Sequence, residues 1–442
     1  MARQVRAPVS SDVLAAIFDD ALTSALADLP RRFASHSRHL ISAVSGGPDS
    51  MALAQLAKAY AARHGATHRA LVVDHGLRPG SAEEAGRVAA RLRAFGITAD
   101  VLEVTAQPAS TGIQEWARAR RYDLLLREAR RTGGCLLLGH HAADQAETVM
   151  MRLARGSGLA GLAGMRQATF REGVAILRPL LAADRAAILD YCDDEGLVFE
   201  RDPSNADSRF ERVRCRRALA AMDRSGLAGS SGLLRLSRAA AGIDSALLDG
   251  LARAGLLTSL SAAGHMTLRA AALRLPQPAL MRLLARVIRL VAAPRHGPGQ
   301  EALERLGTRL RDDRPATLGG VRFTLTGEEW LVTAEIGRRP PRCHVAAGQT
   351  VLFAGNWLVS SPVDAMVRYL GEAGSGPRAG WRDSAGWSGV PSLVRRSLPV
   401  LETLDGGLLY PHLITQGRDV RADFMATAEC LRYGSALPGK TS

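Results

Sequence analysis

Along the first two hundred residues the apolar positions switch between two periods. Residues 11–28 carry apolar side chains at helical spacing, which predicts a leading helix. Short apolar runs then alternate with helical segments. Strands are predicted at 38–44, 70–73, 99–104, 135–138 and 174–177, and helices at 48–62, 81–95, 113–131 and 144–155. Repeated strand–helix units of this kind predict an α/β fold, with a doubly wound, mostly parallel sheet covered by helices on both faces. Ligands of such sheets bind beyond the carboxyl ends of the strands. Those ends are Val44, Val73 and Leu138, and each is followed by a polar segment.

From about Met222 to Arg311 the chain becomes Leu/Ala/Arg-rich at helical period without a strand signal, which predicts a mostly helical second domain. The stretch TLGGVRFTLTGEEWLVTAEI, residues 317–336, predicts a β-hairpin turning near Gly327. The last hundred residues scatter glycine, proline and tryptophan and predict a small mixed or β-rich C-terminal region. The expected boundaries are 1–220, 221–340 ending in the hairpin, and 341–442. No uncharged apolar stretch approaches the ~18 residues of a membrane span. Asp12, Asp19, Asp20 and Asp28 break up any apolar core of a signal peptide.

Charge narrows the choice of partner. A net charge of +14 suits a polyanion, nucleic acid first, although an arginine-biased composition alone would produce a basic chain. Lys58 and Lys440 are the only lysines among 57 basic residues, and neither adjoins a glycine-rich loop. A Walker-type phosphate lysine and a Schiff-base lysine are therefore disfavoured. The five cysteines, Cys135, Cys192, Cys215, Cys343 and Cys430, form no CxxC. A disulfide framework or zinc ribbon is not expected, and a reducing cytosol fits.

The candidate chemistry lies at three strand ends. After Val44 comes Ser45-Gly46-Gly47-Pro48-Asp49-Ser50. The glycines allow amides to converge on an anion, Pro48 suits the first helical position, and the helix start adds a positive dipole end. Asp49 has the wrong sign for phosphate unless Mg²⁺ lies between them; a plain turn with Asp49 stabilising the helix start is the competing reading. After Val73 come Asp74, His75 and Arg78, which suit ribose, base and phosphate, or a packed loop histidine. After Leu138 come His140, His141, Asp144 and Glu147. Asp144 and Glu147 share a helix face and suit Mg²⁺, a substrate ammonium or a capping box. Arg118 and Arg121 lie in one predicted helix, and Arg209, Arg212 and Arg216 would share a face if 209–220 is helical, a stripe for phosphates. The glycine-rich segment 156–164 reads as a mobile loop able to close over a substrate.

Together, SGGPDS at 45–50, VDHGLR at 73–78, Glu115 with Arg118, Arg121 and Tyr122, LGHHAADQAET at 138–148, and Asp202-Pro203-Ser204-Asn205 with Arg212 and Arg214 resemble the tRNA(Ile)-lysidine synthetases. These form a branch of the N-type PP-loop ATPases, whose fold is similar to that of the adenine nucleotide alpha hydrolases. The likeness runs in order through residues 38–220. It implies an enzyme that uses ATP to adenylate the wobble cytidine of a CAU-anticodon isoleucine tRNA. Free L-lysine then attacks C2, giving lysidine, AMP and pyrophosphate. It also implies roles: Asp49, Asp144 and Glu147 catalytic, Asp49 holding Mg²⁺; Ser45, Gly46, Gly47, Pro48, Asp49, Ser50, Asp74, His75, Arg78 and His140 binding ATP; Arg118, Arg121, Arg212 and Arg214 meeting lysine or tRNA. A cytoplasmic protein, as a homodimer, is implied as well. Ala143 stands where the family commonly has a first aspartate, and Val213 where it often has asparagine. The rival readings are a 2-thiolating PP-loop enzyme and a tRNA-binding protein that has lost catalysis.

Overall fold

The computed structural model describes residues 11–29, 38–77, 79–105, 113–200, 211–257, 261, 263–292, 294, 297–337, 340–372, 390–411 and 421–424. The chain divides into two compact units, residues 1–244 and 245–442.

In the first unit, β1 (His39–Val44), β2 (Thr67–Asp74), β3 (Ala99–Glu103), β4 (Cys135–Leu137), β5 (Ala168–Arg171) and β6 (Val174–Leu177) form one sheet in the order β3-β2-β1-β4-β6-β5. The neighbours from β3 to β6 run parallel, and β5 closes the edge antiparallel to β6. The helices are α1 (Ser11–Ala27), α2 (Pro48–His64), α3 (Ser81–Ala94), α4 (Ile113–Thr132), α5 (Ala142–Ala154), the short α6 (Leu159–Leu162), α7 (Arg185–Asp194), α8 (Glu211–Arg224) and α9 (Gly229–Arg253), which runs past Asp244 into the second unit.

Strand residues alternate between two cores, as a sheet covered on both faces requires. Leu40, Val44, Ala70 and Val72 join Phe18 of α1, Met51 and Leu53 of α2, Val88 of α3 and Ile188 of α7. Ile41, Leu71 and Leu136 join Tyr122, Leu125 and Leu126 of α4. The sequence order reverses at β1, with β2 and β3 on one side and β4 and β6 on the other. The carboxyl ends of β1 and β4 are therefore the topological switch point, where sheets of this kind bind ligands.

The predicted doubly wound sheet is present, with three differences. β2 begins at Thr67, three polar residues early, because Thr67, His68 and Arg69 pair in register with His39, Leu40 and Ile41. β5 was not expected; its four residues form a hairpin with β6 through Glu172 and Gly173, both at positive φ (51° and 80°), as a tight hairpin turn requires. α7 was also not expected. Asp184 caps it by accepting from the Ala186 N–H at 3.1 Å.

In the second unit, α10 (Gln277–Ala292) and α11 (Gln300–Arg311) share a core with β7 (Met266–Arg269), β8 (Ala316–Leu318), β9 (Val321–Thr326) and β10 (Glu329–Ala334). β9 and β10 are the predicted hairpin, with Gly327 at φ 62° in its turn. β7 lies within the stretch that carries no strand signal in the sequence. Met266 and Leu268 alternate into the core beside β10, but four residues are too few to stand out from a helical period. Beyond the hairpin lie two small antiparallel sheets. One comprises β11 (Cys343–Val345), β14 (Ala365–Tyr369), β15 (Pro399–Thr403) and β16 (Leu408–Leu409); the other comprises β12 (Thr350–Phe353), β13 (Trp357–Ser360) and β17 (Arg421–Phe424).

Candidate active site

Beyond Val44 the chain turns sharply into α2. Gly46 sits at φ +83°, and a Cβ there would lie 2.7 Å from Val88 Cγ2, so both backbone and space demand glycine. Ser50 Oγ donates to Gly47 O at 2.9 Å and accepts the Ser45 N–H at 3.1 Å, which closes the loop on itself. Pro48 occupies the first turn of α2. Asp49 Oδ1 is buried and has no hydrogen-bond partner among the described residues. A buried carboxylate oxygen left unpaired is costly, and a hard cation is a fitting partner for it.

The end of β4 touches this loop. A Cβ on Gly139 would lie 2.9 Å from Asp49 O and 3.4 Å from Ser50 N, so glycine permits the two strand ends to approach. Next, His141 caps α5. Its Nδ1 accepts the Ala143 N–H at 3.2 Å, and its own N–H donates to Asp144 Oδ2 at 3.1 Å. The capping box thus joins His141 to Asp144, not Asp144 to Glu147, and α5 starts at Ala142. With Nδ1 accepting, the neutral ring carries its hydrogen on Nε2, 3.6 Å from Asp49 Oδ1 and 3.5 Å from Asp144 Oδ2. Burial lowers the His141 pKa, but the Asp49 and Asp144 carboxylates outweigh it and the net shift is upward.

Asp144 and Glu147 do share a face of α5, and α8 supplies their counter-charges. Arg212 reaches Asp144 Oδ1 with Nη2 at 3.0 Å and Glu147 Oε2 with Nε at 2.7 Å. Arg216 Nε meets Glu147 Oε1 at 2.6 Å. Glu147 is 2% exposed, so both its oxygens are spent on arginine. Asp144 is 17% exposed and is the more accessible carboxylate. Burial would raise its pKa, yet His141 and Arg212 hold it below the usual range. Arg214 is exposed and lies two residues from Arg212, on another side of the helix, so the structure does not gather it with the pair.

A second cluster is strongly cationic. Arg118, Arg121 and Arg171 stack over Tyr122, with guanidinium carbons 5.5, 5.9 and 5.1 Å from the ring centroid. Among the described residues neither Arg118 nor Arg121 has a carboxylate partner. His140 responds to this field: burial first, then Arg178, Arg212 and Arg118, push its pKa down to about 3. His75 is lowered by burial and by Arg121. Asp74 is buried and accepts the Gly76 N–H at 3.0 Å. Arg78, Arg209 and the 202–205 segment lie outside the described residues.

A PP-loop domain model matches residues 16–222. A tRNA(Ile)-lysidine synthase of Methylobacterium sp. (strain 4-46) is 40% identical over 321 residues, covering 68% of this chain and 90% of that protein. The chain belongs to the tRNA(Ile)-lysidine synthase family. Similar relatives carrying the same name include those of Hyphomonas neptunium, 39% identical over 71% of this chain and 86% of that protein, and Ruegeria pomeroyi, 34% identical over 78% and 83%. No helix of the described residues is long and apolar enough to cross a membrane.

Other residues of this lysidine synthase family member emerge only in three dimensions. The i+4 spacing of Arg216 from Arg212 signals a stripe for phosphates, but the structure pairs Arg216 with Glu147. Gln145 has no such signal. Its amide donates to Met165 O at 3.0 Å and to Ser237 Oγ at 3.2 Å, and accepts the Met165 N–H at 2.7 Å. Arg152 Nη1 donates to Gly161 O and Gly164 O, both at 2.8 Å. Arg152, with Gln145 at the adjoining Met165, thus ties the α6 end of the 156–164 segment to α5.

Proposed function

We propose that this protein forms lysidine at the wobble cytidine of a CAU-anticodon isoleucine tRNA by ATP-dependent ligation of L-lysine. ATP adenylates the position-2 carbonyl oxygen of the base and pyrophosphate leaves. The ε-amine of lysine then attacks C2, and AMP departs. The observation that carries this reading is the meeting, at the β1/β4 switch point, of the Ser45–Ser50 loop with Asp144 across His141.

The residues divide the work as follows. Ser45, Gly46, Gly47 and Ser50 bind the pyrophosphate portion of ATP at the start of α2, where amides and helix dipole favour the developing anion. Asp49, whose buried Oδ1 accepts no hydrogen bond from the described residues, would hold Mg²⁺. That ion, when bound, neutralises phosphate charge. Asp74, His75 and His140 face the nucleotide, and His140 does so as a neutral imidazole. Asp144 takes the ε-ammonium of lysine, which must lose a proton before attack, while Glu147 fixes Arg212 and Arg216 beside it. Ala143 gives only its N–H to His141, so the loss of a carboxylate there leaves Asp144 in service. Arg118 and Arg121, stacked on Tyr122 and without a carboxylate partner among the described residues, meet the anticodon phosphates or the lysine carboxylate. Residues 221–340 contribute tRNA binding and 341–442 a smaller C-terminal domain, in a cytoplasmic enzyme.

The test combines ATP, labelled lysine and CAU-anticodon isoleucine tRNA. Labelled tRNA and AMP are expected. Formation of ADP, or tRNA without label, refutes the proposal. Asp144→Ala should abolish lysine incorporation, and normal turnover of that variant would remove Asp144 from its role.

A further inference from the structure

His141 stands outside the roles assigned above, yet its ring is 7% exposed and lies between two functional carboxylates on different elements. Asp49 belongs to α2, and Asp144 to α5. Their separation decides how far the pyrophosphate loop stands from the group that takes the amine. Two carboxylates directed at one point repel each other unless a donor stands between them. Among the described residues that donor is the Nε2–H of His141, 3.6 Å from Asp49 Oδ1 and 3.5 Å from Asp144 Oδ2.

The opposite side of the ring fixes this orientation. Nδ1 accepts the Ala143 N–H at 3.2 Å, so the hydrogen is placed on Nε2 and directed at the carboxylates. The His141 backbone N–H also holds Asp144 Oδ2 at 3.1 Å, so one residue grips Asp144 by main chain and faces it by side chain. Both Nε2 distances exceed a hydrogen bond. The N–H is shared, and a movement of about half an ångström toward either oxygen completes one bond. Contacts of this kind tighten in substrate complexes.

We infer that His141 is a positioning residue that spaces Asp49 from Asp144, coupling the pyrophosphate loop to the amine-holding carboxylate. This rests on the assignment of those two carboxylates in the proposed function. The competing role is a helix cap and nothing more.

Two substitutions separate the roles, because asparagine and glutamine imitate different ring nitrogens. In His141→Asn the side-chain oxygen still caps Ala143 N–H, as asparagine does well, but nothing extends to the Nε2 position. In His141→Gln the amide nitrogen reaches that position while the cap weakens. Each variant, as the full chain, is compared with wild type by thermal unfolding, tRNA-dependent pyrophosphate release and lysine incorporation. His141→Asn should unfold with wild type yet lose ~10–100-fold in kcat for both steps. His141→Gln should unfold earlier and keep more activity than His141→Asn. If His141→Asn keeps wild-type kcat in an active preparation, or if activity in both variants tracks unfolding temperature, the inference falls and His141 is a cap. If wild type itself incorporates no lysine, the proposed function fails and this inference falls with it.

Discussion

Gly139→Ala is a substitution at β4's end whose effect should be felt in the ATP loop, nearly a hundred residues earlier in the chain. The added methyl would lie 2.9 Å from Asp49 O, 3.1 Å from Asp49 C and 3.4 Å from Ser50 N. Ordinary non-bonded carbon contacts begin near ~3.5 Å, so the first turn of α2 must retreat by about half an ångström. No side-chain rotation relieves this, since the obstructing atoms are backbone. Overpacking of this type costs about 1–3 kcal/mol. The catalytic penalty follows from displacement: about 1 Å of misplacement costs on the order of 10²-fold, so half that should cost about tenfold in kcat/KM for ATP. Pyrophosphate release would be followed against ATP concentration at saturating tRNA and lysine. Gly86→Ala in α3 is the control, because a Cβ there meets nothing within 4 Å. It should gain about 1 kcal/mol from helix propensity and leave ATP kinetics alone. A Gly139→Ala enzyme with unaltered kcat/KM would refute the claim that the two strand ends are in contact.

Glu147→Ala leaves Arg212 and Arg216 facing each other without their shared carboxylate; with those arginines 34% and 41% exposed, the loss should be about 2–3 kcal/mol, seen as a lower urea midpoint, and an unchanged midpoint would contradict the clamp. Gln145→Leu removes the partners of Met165 N–H and C=O and should cost about 3 kcal/mol, with faster amide exchange at Met165; unchanged exchange would mean the loop is held otherwise. His68 gives a pH test: burial, then Lys58, lower its pKa from 6.5 to about 4. Between those values the unfolded chain binds a proton that the folded chain does not. Its contribution is therefore complete above pH 6.5 and is lost as pH falls toward 4, by about 3 kcal/mol. His68→Gln should flatten that part of the stability profile, and an equal slope in both proteins would disprove the assignment.

What the sequence made legible, and what it did not, follows from the range of the interactions concerned. The strand–helix period, the glycine-bounded turns and the Pro48 helix start depend on neighbours a few residues away, and they located the sheet and its switch point. The shared face of Asp144 and Glu147 is equally local. What joins these pieces is not. Gly139 matters because of Asp49, and Glu147 because of residues 212 and 216. His141 could be read from sequence only as one of two adjacent histidines; its cap bond selects the tautomer, and the β1/β4 adjacency decides what the remaining N–H faces. Charge behaves likewise. Counting arginines predicts a basic protein, but Arg212 and Arg216 are neutralised by carboxylates while Arg118 and Arg121 stack on Tyr122 with no carboxylate among the described residues. The proposed function therefore assigns anion binding to α4 rather than to the Arg212–Arg216 face of α8. A phosphate or carboxylate arriving there meets guanidinium groups already oriented by the Tyr122 ring, whereas one arriving at α8 must first displace Asp144 or Glu147.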